Sequence, residues 1–234
     1  MFSKKPENRN HHFKKSNLTD EQNSFYVARK RMVEEKIMPE VKHARVIEAM
    51  SRVPRDRFVP DGLKDQAYLD RPLNIGEGQT ISQPLIVATM TSIIDPKPTD
   101  KILELGTGSG YQAAILCELS KHVYSIERIS GLSNRARRAL YDIGYMNFTL
   151  RIGDGTNGWP EKAPFNGIIV TAGSPDIPKP LYKQLADGGK LVIPVGGAEQ
   201  QALKVITRKG RKFIEETVFG CRFVKLIGEH GWNG

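Results

Sequence analysis

Apolar residues along the 234-residue chain fall into two successive patterns, first helical and then alternating between strand and helix. Phe25, Ala28, Met32 and Val33 lie on one helical face, and Val46, Ile47, Met50 and Val53 on another. Pro54 and the run Arg57-Phe58-Val59-Pro60 end this helical preface. Residues 61–83 carry no clear period and hold Gly62, Pro72, Gly76 and Gly78. They read as a long loop, and a loop of that length in a compact domain is more often functional than incidental.

From Pro84 the pattern is regular. Ile86, Met90, Ile93 and Ile94 form a helical stripe that Asp95-Pro96-Lys97-Pro98 closes. Next come a strand over 102–105, a glycine-rich turn, a helix over 111–119 and a strand over 123–126. A helix with Leu132, Ala136, Ala139, Leu140 and Ile143 on one face follows, then strands over 148–152 and 168–171. A helix near 181–185 and a strand over 191–195 complete the alternation. Segments 202–207 and 212–219, joined around Lys209-Gly210, read as an antiparallel hairpin. The expectation is an α/β fold: a doubly wound, mostly parallel sheet, helices on both faces, a C-terminal antiparallel hairpin and a helical N-terminal preface. Residues 1–24 are polar and without period, which predicts a mobile tail before one domain over 25–234.

Composition narrows the class. An apolar share of 39% fits a globular chain, and no run approaches the roughly 18–20 apolar residues of a membrane helix. Lys4 and Lys5 are not followed by a hydrophobic run, so no secretory signal is read. The two cysteines, Cys117 and Cys221, form no CxxC pair. Together these predict a soluble, cytoplasmic protein. The net charge is +9, of which the first 24 residues carry only +2. Such a surface permits nucleic-acid or acidic-protein partners, but no nucleic-acid recognition motif accompanies it. The adjacent His11 and His12 make an incomplete metal site, and none is expected.

The chemistry concentrates in Glu104-Leu105-Gly106-Thr107-Gly108-Ser109-Gly110, between a predicted strand and a predicted helix. Glycines allow a sharp turn and close backbone approach, and the helix N-terminus offers free N–H groups. Glu127, 21 residues past Gly106, ends the next strand, where a carboxylate can accept both hydroxyls of a ribose. That much suits any adenosine cofactor. A dinucleotide site prefers G-x-G-x-x-G. Here the spacing is G-x-G-x-G, with Glu104 two positions before the first glycine. A carboxylate there repels a pyrophosphate and suits the amino and sulfonium groups of S-adenosylmethionine. Asp154 in Gly153-Asp154-Gly155 supplies a carboxylate for an adenine amino group.

Four stretches together resemble the protein-L-isoaspartate O-methyltransferase family. They are Arg52-Val53-Pro54-Arg55-Asp56-Arg57-Phe58-Val59-Pro60, Ala67-Tyr68-Leu69-Asp70-Arg71-Pro72-Leu73-Asn74-Ile75-Gly76, Gly78-Gln79-Thr80-Ile81-Ser82-Gln83-Pro84, and 103–114 around the glycine turn. The likeness covers about residues 25–232. It implies a Rossmann-like methyltransferase fold and transfer of the methyl of S-adenosylmethionine to the α-carboxylate of L-isoaspartyl residues in damaged proteins and peptides. Repair would follow through a succinimide. It also implies a cofactor site of Thr80, Ile81, Ser82, Glu104, Gly106, Thr107, Gly108, Gly110, Glu127, Asp154 and Gly155. Ser82 would orient the substrate carboxylate, and Tyr68, Asp70, Pro72 and Ile75 would close over the substrate. No metal and no membrane are implied, and the chain is expected to be a monomer. Ser82 also precedes Pro84 and an apolar helix, so an N-cap role is open for it. Asn166, Gly167 and Lys225 depart from the family pattern; Lys225 stands where bacterial members commonly have proline. Two other functions compete. A nucleic-acid methyltransferase acting on adenine would want Asp/Asn-Pro-Pro-Tyr/Phe after the fourth strand, where Thr171-Ala172-Gly173-Ser174-Pro175 stands instead. A cofactor-binding module without catalysis is disfavoured by the intact stretch from Gln79 to Pro84.

Overall fold

The computed structural model describes residues 19–233. Six α-helices and nine strands follow one another as α1 (Asp20–Met32), α2 (Ala44–Arg52), β1 (Leu73–Gly76), β2 (Gln79–Ile81), α3 (Pro84–Ile94), β3 (Lys101–Leu105), α4 (Tyr111–Leu119), β4 (His122–Glu127), α5 (Ser130–Asp142), β5 (Phe148–Ile152), β6 (Phe165–Val170), α6 (Lys179–Gln184), β7 (Leu185–Gly196), β8 (Gln201–Lys209) and β9 (Lys212–Cys221). A seven-stranded sheet has the order β5-β4-β3-β6-β7-β8-β9. Its first five strands are parallel, and β8 and β9 are antiparallel additions. The fold is the Rossmann-like α/β class that the alternation predicts.

Strand alternation separates the core into two layers. Ile102, Val123, Ile169 and Val192 face one side with helices α1 to α5. Leu103, Leu105, Ile168, Val170, Leu191 and Ile193 face the other, covered by Leu181 of α6 and by Trp159. Helices therefore lie on both faces but unevenly, because after β5 the chain makes only short 3-10 turns at Gly155–Asn157 and Pro160–Lys162 before it returns to the sheet. Each fully buried aliphatic side chain contributes about 1.5–3 kcal/mol, so the two layers together fix the sheet.

Three boundaries differ from expectation. The first helix starts at Asp20, not after Ser24, because Thr19 and Gln22 form a capping box. The remainder of the expected tail, with His11 and His12, lies outside the described residues. Residues 61–83 are not irregular throughout: Asp61–Gln66 is a 3-10 turn, and β1 and β2 form a hairpin. Glu77 and Gly78 take φ of 56° and 67° at its tip, the backbone of a type I′ turn. Finally, β7 begins at Leu185, directly after α6, six residues before the apolar run that announces it.

The sheet order places β3 beside β6, with β4 and β5 on one flank and β7 on the other. This is the topological switch point, where open α/β sheets bind ligands beyond the carboxyl ends of their strands.

Candidate active site

A cleft open to solvent lies at that switch point. Gly106 and Gly108 of the turn after β3 form its floor, with Thr171 and Ala172 after β6. Glu127, Arg128 and Ile129 border it on the β4 side, and Gly155 lies after β5. Gln79 and Thr80 of the hairpin make one wall, and Val224 to Ile227 of the C-terminal segment make another.

The turn is built for close packing. Gly106 has φ +92°, and a Cβ there would lie 2.5 Å from Thr171 Oγ1. Thr171 uses that hydroxyl to tie the ends of β3 and β6 together, donating to the carbonyls of Leu105 and Gly106. Glu127 is 5% exposed. Its Oε2 accepts the Gly108 N–H at 2.9 Å and its Oε1 accepts the Ile129 N–H at 2.9 Å. The carboxylate is thus held in plane, and each oxygen keeps a second lone pair.

Of the residues implied for the cofactor, Thr80, Gly106, Gly108, Glu127 and Gly155 border this cleft. Ile81 and Thr107 are buried behind its walls. Gly110, φ +91°, packs against Ala136 at the start of α4. Glu104 differs from its expected position. Alternation along β3 turns it into the layer beneath α4, where it is wholly buried. Its Oε2 accepts from Ser125 Oγ at 2.5 Å, and its Oε1 has no partner. Burial first, and the nearby Glu127 charge, push its carboxyl up to about 8, against the opposing Ser125 hydrogen bond. At pH 7 it is therefore mainly neutral and presents no carboxylate to a cation in the cleft.

This sets a stability profile. The folded-state pKa lies above the unfolded one, so the stability that Glu104 contributes is complete below about pH 4.5 and is lost as pH rises through about 8. Glu104→Gln, a neutral mimic, is expected to melt with wild type at pH 5 and several degrees above it at pH 9. Parallel melting curves across that range would refute the assignment.

Asp154 also differs. Its Oδ1 accepts from the Thr156 N–H and hydroxyl at 2.8 and 2.7 Å, and its Oδ2 from the Glu229 N–H at 2.8 Å. It faces the C-terminal segment and is absent from the cleft lining, which Gly155 supplies.

The four residues implied for the substrate do not converge on the cleft. Tyr68 is buried, donates to Asp56 and lies tilted against Phe25, ring centroids 6.5 Å apart. Ile75 packs above Gly108, and Pro72 is exposed. Asp70 accepts from Gln83 Nε2 at 2.7 Å and from the Leu85 N–H at 2.9 Å. That explains Ser82. The N-cap position of α3 belongs to Gln83, whose side chain makes no cap bond. Asp70, reaching across from the loop, satisfies the helix end instead. Ser82 is therefore not the cap. It is half-buried, and its hydroxyl has no partner among the described residues.

Residues 27–231 match the sequence profile of the family described as Protein-L-isoaspartate(D-aspartate) O-methyltransferase (PCMT). The chain belongs to this family. Protein-L-isoaspartate O-methyltransferase of Syntrophus aciditrophicus (strain SB) is 56% identical over 214 residues, 90% of this chain and 98% of that protein. The Geobacter metallireducens protein of the same name is 55% identical over 212 residues, 90% and 98% of the two chains. A solved PCMT structure, a beta-aspartate methyltransferase from Plasmodium falciparum in complex with S-adenosyl-L-homocysteine, superposes with a TM-score of 0.75 at 26% identity. It covers 85% of this chain and 98% of that one. The match thus runs from within α1 to the C-terminal segment. Sequence reasoning missed Val224, Leu226 and Ile227 as cleft residues, since irregular chain carries no period. Thr171 was missed as well, although it follows β6 at the switch point.

Proposed function

We propose that this protein transfers the methyl group of S-adenosylmethionine to the free α-carboxylate of L-isoaspartyl residues in damaged proteins and peptides. The reading rests on family membership together with one local observation: a carboxylate, Glu127, fixed by two backbone N–H groups inside the cleft at the switch point. The donor set fits the cofactor. Glu127 offers two outward lone pairs to ribose hydroxyls, Gly106 and Gly108 present backbone without side chains, and Gly155 lets a flat ring lie against the β5 side. The cofactor, when bound, supplies an electrophilic methyl: the substrate carboxylate oxygen bonds the methyl carbon as the carbon–sulfur bond breaks, leaving a methyl ester and S-adenosylhomocysteine.

No general base is required, since an α-carboxyl of pKa about 3.3–3.7 is ionised at neutral pH. The chain's task is alignment and exclusion of water. In our reading the unpartnered Ser82 hydroxyl donates to the substrate carboxylate. Asp70 acts as a positioning residue, pinning Gln83 and the start of α3 so that Ser82 is held. Tyr68, Pro72 and Ile75 shape the loop that carries Asp70. Asp154 acts on the cofactor through the C-terminal wall.

We further infer a monomer in a reducing cytoplasm, working on protein and not on nucleic acid. Both cysteines are free, and among the described residues no helix is long and apolar enough to cross a membrane.

The test is radiolabelled S-adenosylmethionine with two peptides differing only in L-isoaspartate versus L-aspartate. Label on the isoaspartyl peptide alone, released as methanol by mild base, is the expected result. Base-stable label on RNA, or binding without transfer, would overturn the reading. In the same assay Ser82→Ala is expected to lower kcat by roughly tenfold, because the carboxylate loses its alignment with the methyl carbon, with cofactor affinity within twofold. A fall in cofactor affinity alone would remove Ser82 from the reacting centre.

A further inference from the structure

Among the described residues, two cations on the lip of the cleft form no ion pair. Arg128, directly after Glu127, and Lys225, on the C-terminal segment, both border the opening and are exposed. Two other arginines are paired: Arg222 lies 2.7 Å from Glu199, and Arg151 lies 3.6 Å from Glu161. Arg128 and Lys225 enter no ion pair among the described residues. Neither nearby acid forms an ion pair with them: Glu127 accepts from Gly108 and Ile129, and Asp154 from Thr156 and Glu229.

Lys225 is also held in place. Its backbone bridges to Gly173, just past β6. Its Nζ sits 5.3 Å from the centroid of the Trp232 ring, and the Trp232 indole N–H donates to the Gly173 carbonyl at 3.0 Å. A cation over an aromatic face keeps its charge while its stem loses freedom.

We propose that Arg128 and Lys225 form a cationic lip that favours isoaspartyl sites flanked by Asp or Glu, acting on substrate capture and not on the transfer itself. This rests on the methyl-transfer reading above. That reaction joins a carboxylate anion to a sulfonium cation and leaves two neutral centres, so charge is lost on the way to the transition state. A cation touching the reacting carboxylate would stabilise the reactants more than the transition state and slow the step. Cations that capture an anionic peptide without that cost belong at the solvated edge, within a screening length of the flanking residues. Arg128 and Lys225 occupy such positions. Their effect falls on KM, depends on salt, and reads the residues beside the isoaspartate.

Three isoaspartyl peptides, identical except for two flanking Glu, Gln or Lys residues, test this in the full-length protein. Measurements of kcat and KM are made at about 10 mM and about 1 M salt, where the screening length falls from roughly 30 to 3 Å. Wild type is expected to give the lowest KM for the Glu peptide and the highest for the Lys peptide at low salt, spread roughly three- to tenfold, with similar kcat. High salt should erase the spread. Lys225→Gln should shrink it, and Lys225→Glu, which sets a carboxylate against Arg128, should abolish it. Lys121→Gln removes the same charge at the opposite end of β4, at an exposed position, and should leave the spread intact. Equal KM values in wild type, an unchanged spread in Lys225→Glu, or an effect confined to kcat would each overturn the lip. Absence of transfer to any of the three peptides would instead defeat the methyl-transfer reading, and the lip with it.

Discussion

Glu127→Ala is expected to weaken S-adenosylmethionine binding by roughly 10²–10⁴-fold, the equivalent of two hydrogen bonds to a charged group at about 1.5–3 kcal/mol each. The geometry explains why so much rests on one side chain. Glu127 ends β4 at the cleft, and its two oxygens accept from Gly108 and Ile129 at 2.9 Å each. Removing the carboxylate deletes both proposed ribose contacts. It also frees the Gly108 amide, in the turn that forms the cleft floor. Glu127→Gln is expected to fall between, because its amide nitrogen must oppose one of the two N–H donors. Calorimetry with S-adenosylmethionine checks this, alongside melting of the free protein to separate lost affinity from lost folding. Affinity within threefold of wild type would remove Glu127 from the cofactor site.

Glu127 was legible in the sequence because its signal is local and periodic: a strand, a glycine turn, a second strand and an acid at its end. The layers of the sheet were legible for the same reason, since Leu103, Leu105, Ile168 and Val170 alternate with residues of the opposite face. What escaped depends on contacts between segments without a shared period. Asp70 reaches the Leu85 amide across 15 residues, and nothing in a list of residue types announces a cap supplied from a distant loop. The same bond decides that Ser82 has a free hydroxyl, a fact that an N-cap rule applied to the sequence alone assigns the other way. Spacing from the glycines alone makes Glu104 a candidate ligand. Strand alternation already turned it inward, and its burial follows. The first helix starts ahead of its apolar period, because Thr19 and Gln22 form a capping box before a polar first turn.

Asp154 carries the second large effect, and here two roles separate by experiment. A carboxylate that only reads the adenine amino group would, when removed, cost affinity and leave the free protein unchanged. The structure gives it a different task. Asp154 accepts from Thr156 twice and from Glu229 once. The Thr156 hydroxyl in turn accepts the His230 N–H at 3.1 Å. A Cβ on Gly228 would stand 2.0 Å from Asp154 Oδ1, so the segment lies directly on the carboxylate. Through these bonds Asp154 holds the chain that carries Val224 to Ile227 onto the cleft. Asp154→Ala is therefore expected to lower stability by about 2–4 kcal/mol and to raise hydrogen exchange at Glu229 and His230 in the cofactor-free protein. Cofactor affinity should fall by tenfold or more as the wall loosens. Acid gives the same outcome by a second route. Although desolvation raises the Asp154 carboxyl, the Glu229 and Thr156 hydrogen bonds, with the nearby His230, hold it below the usual carboxylate range. Its folded pKa is thus depressed, so its contribution is present above about pH 3.8 and is lost as pH falls through the lower, folded value. Exchange at Glu229 that is unaltered in Asp154→Ala, together with weakened cofactor binding, would leave the adenine contact as its role and detach the C-terminal wall from this side chain.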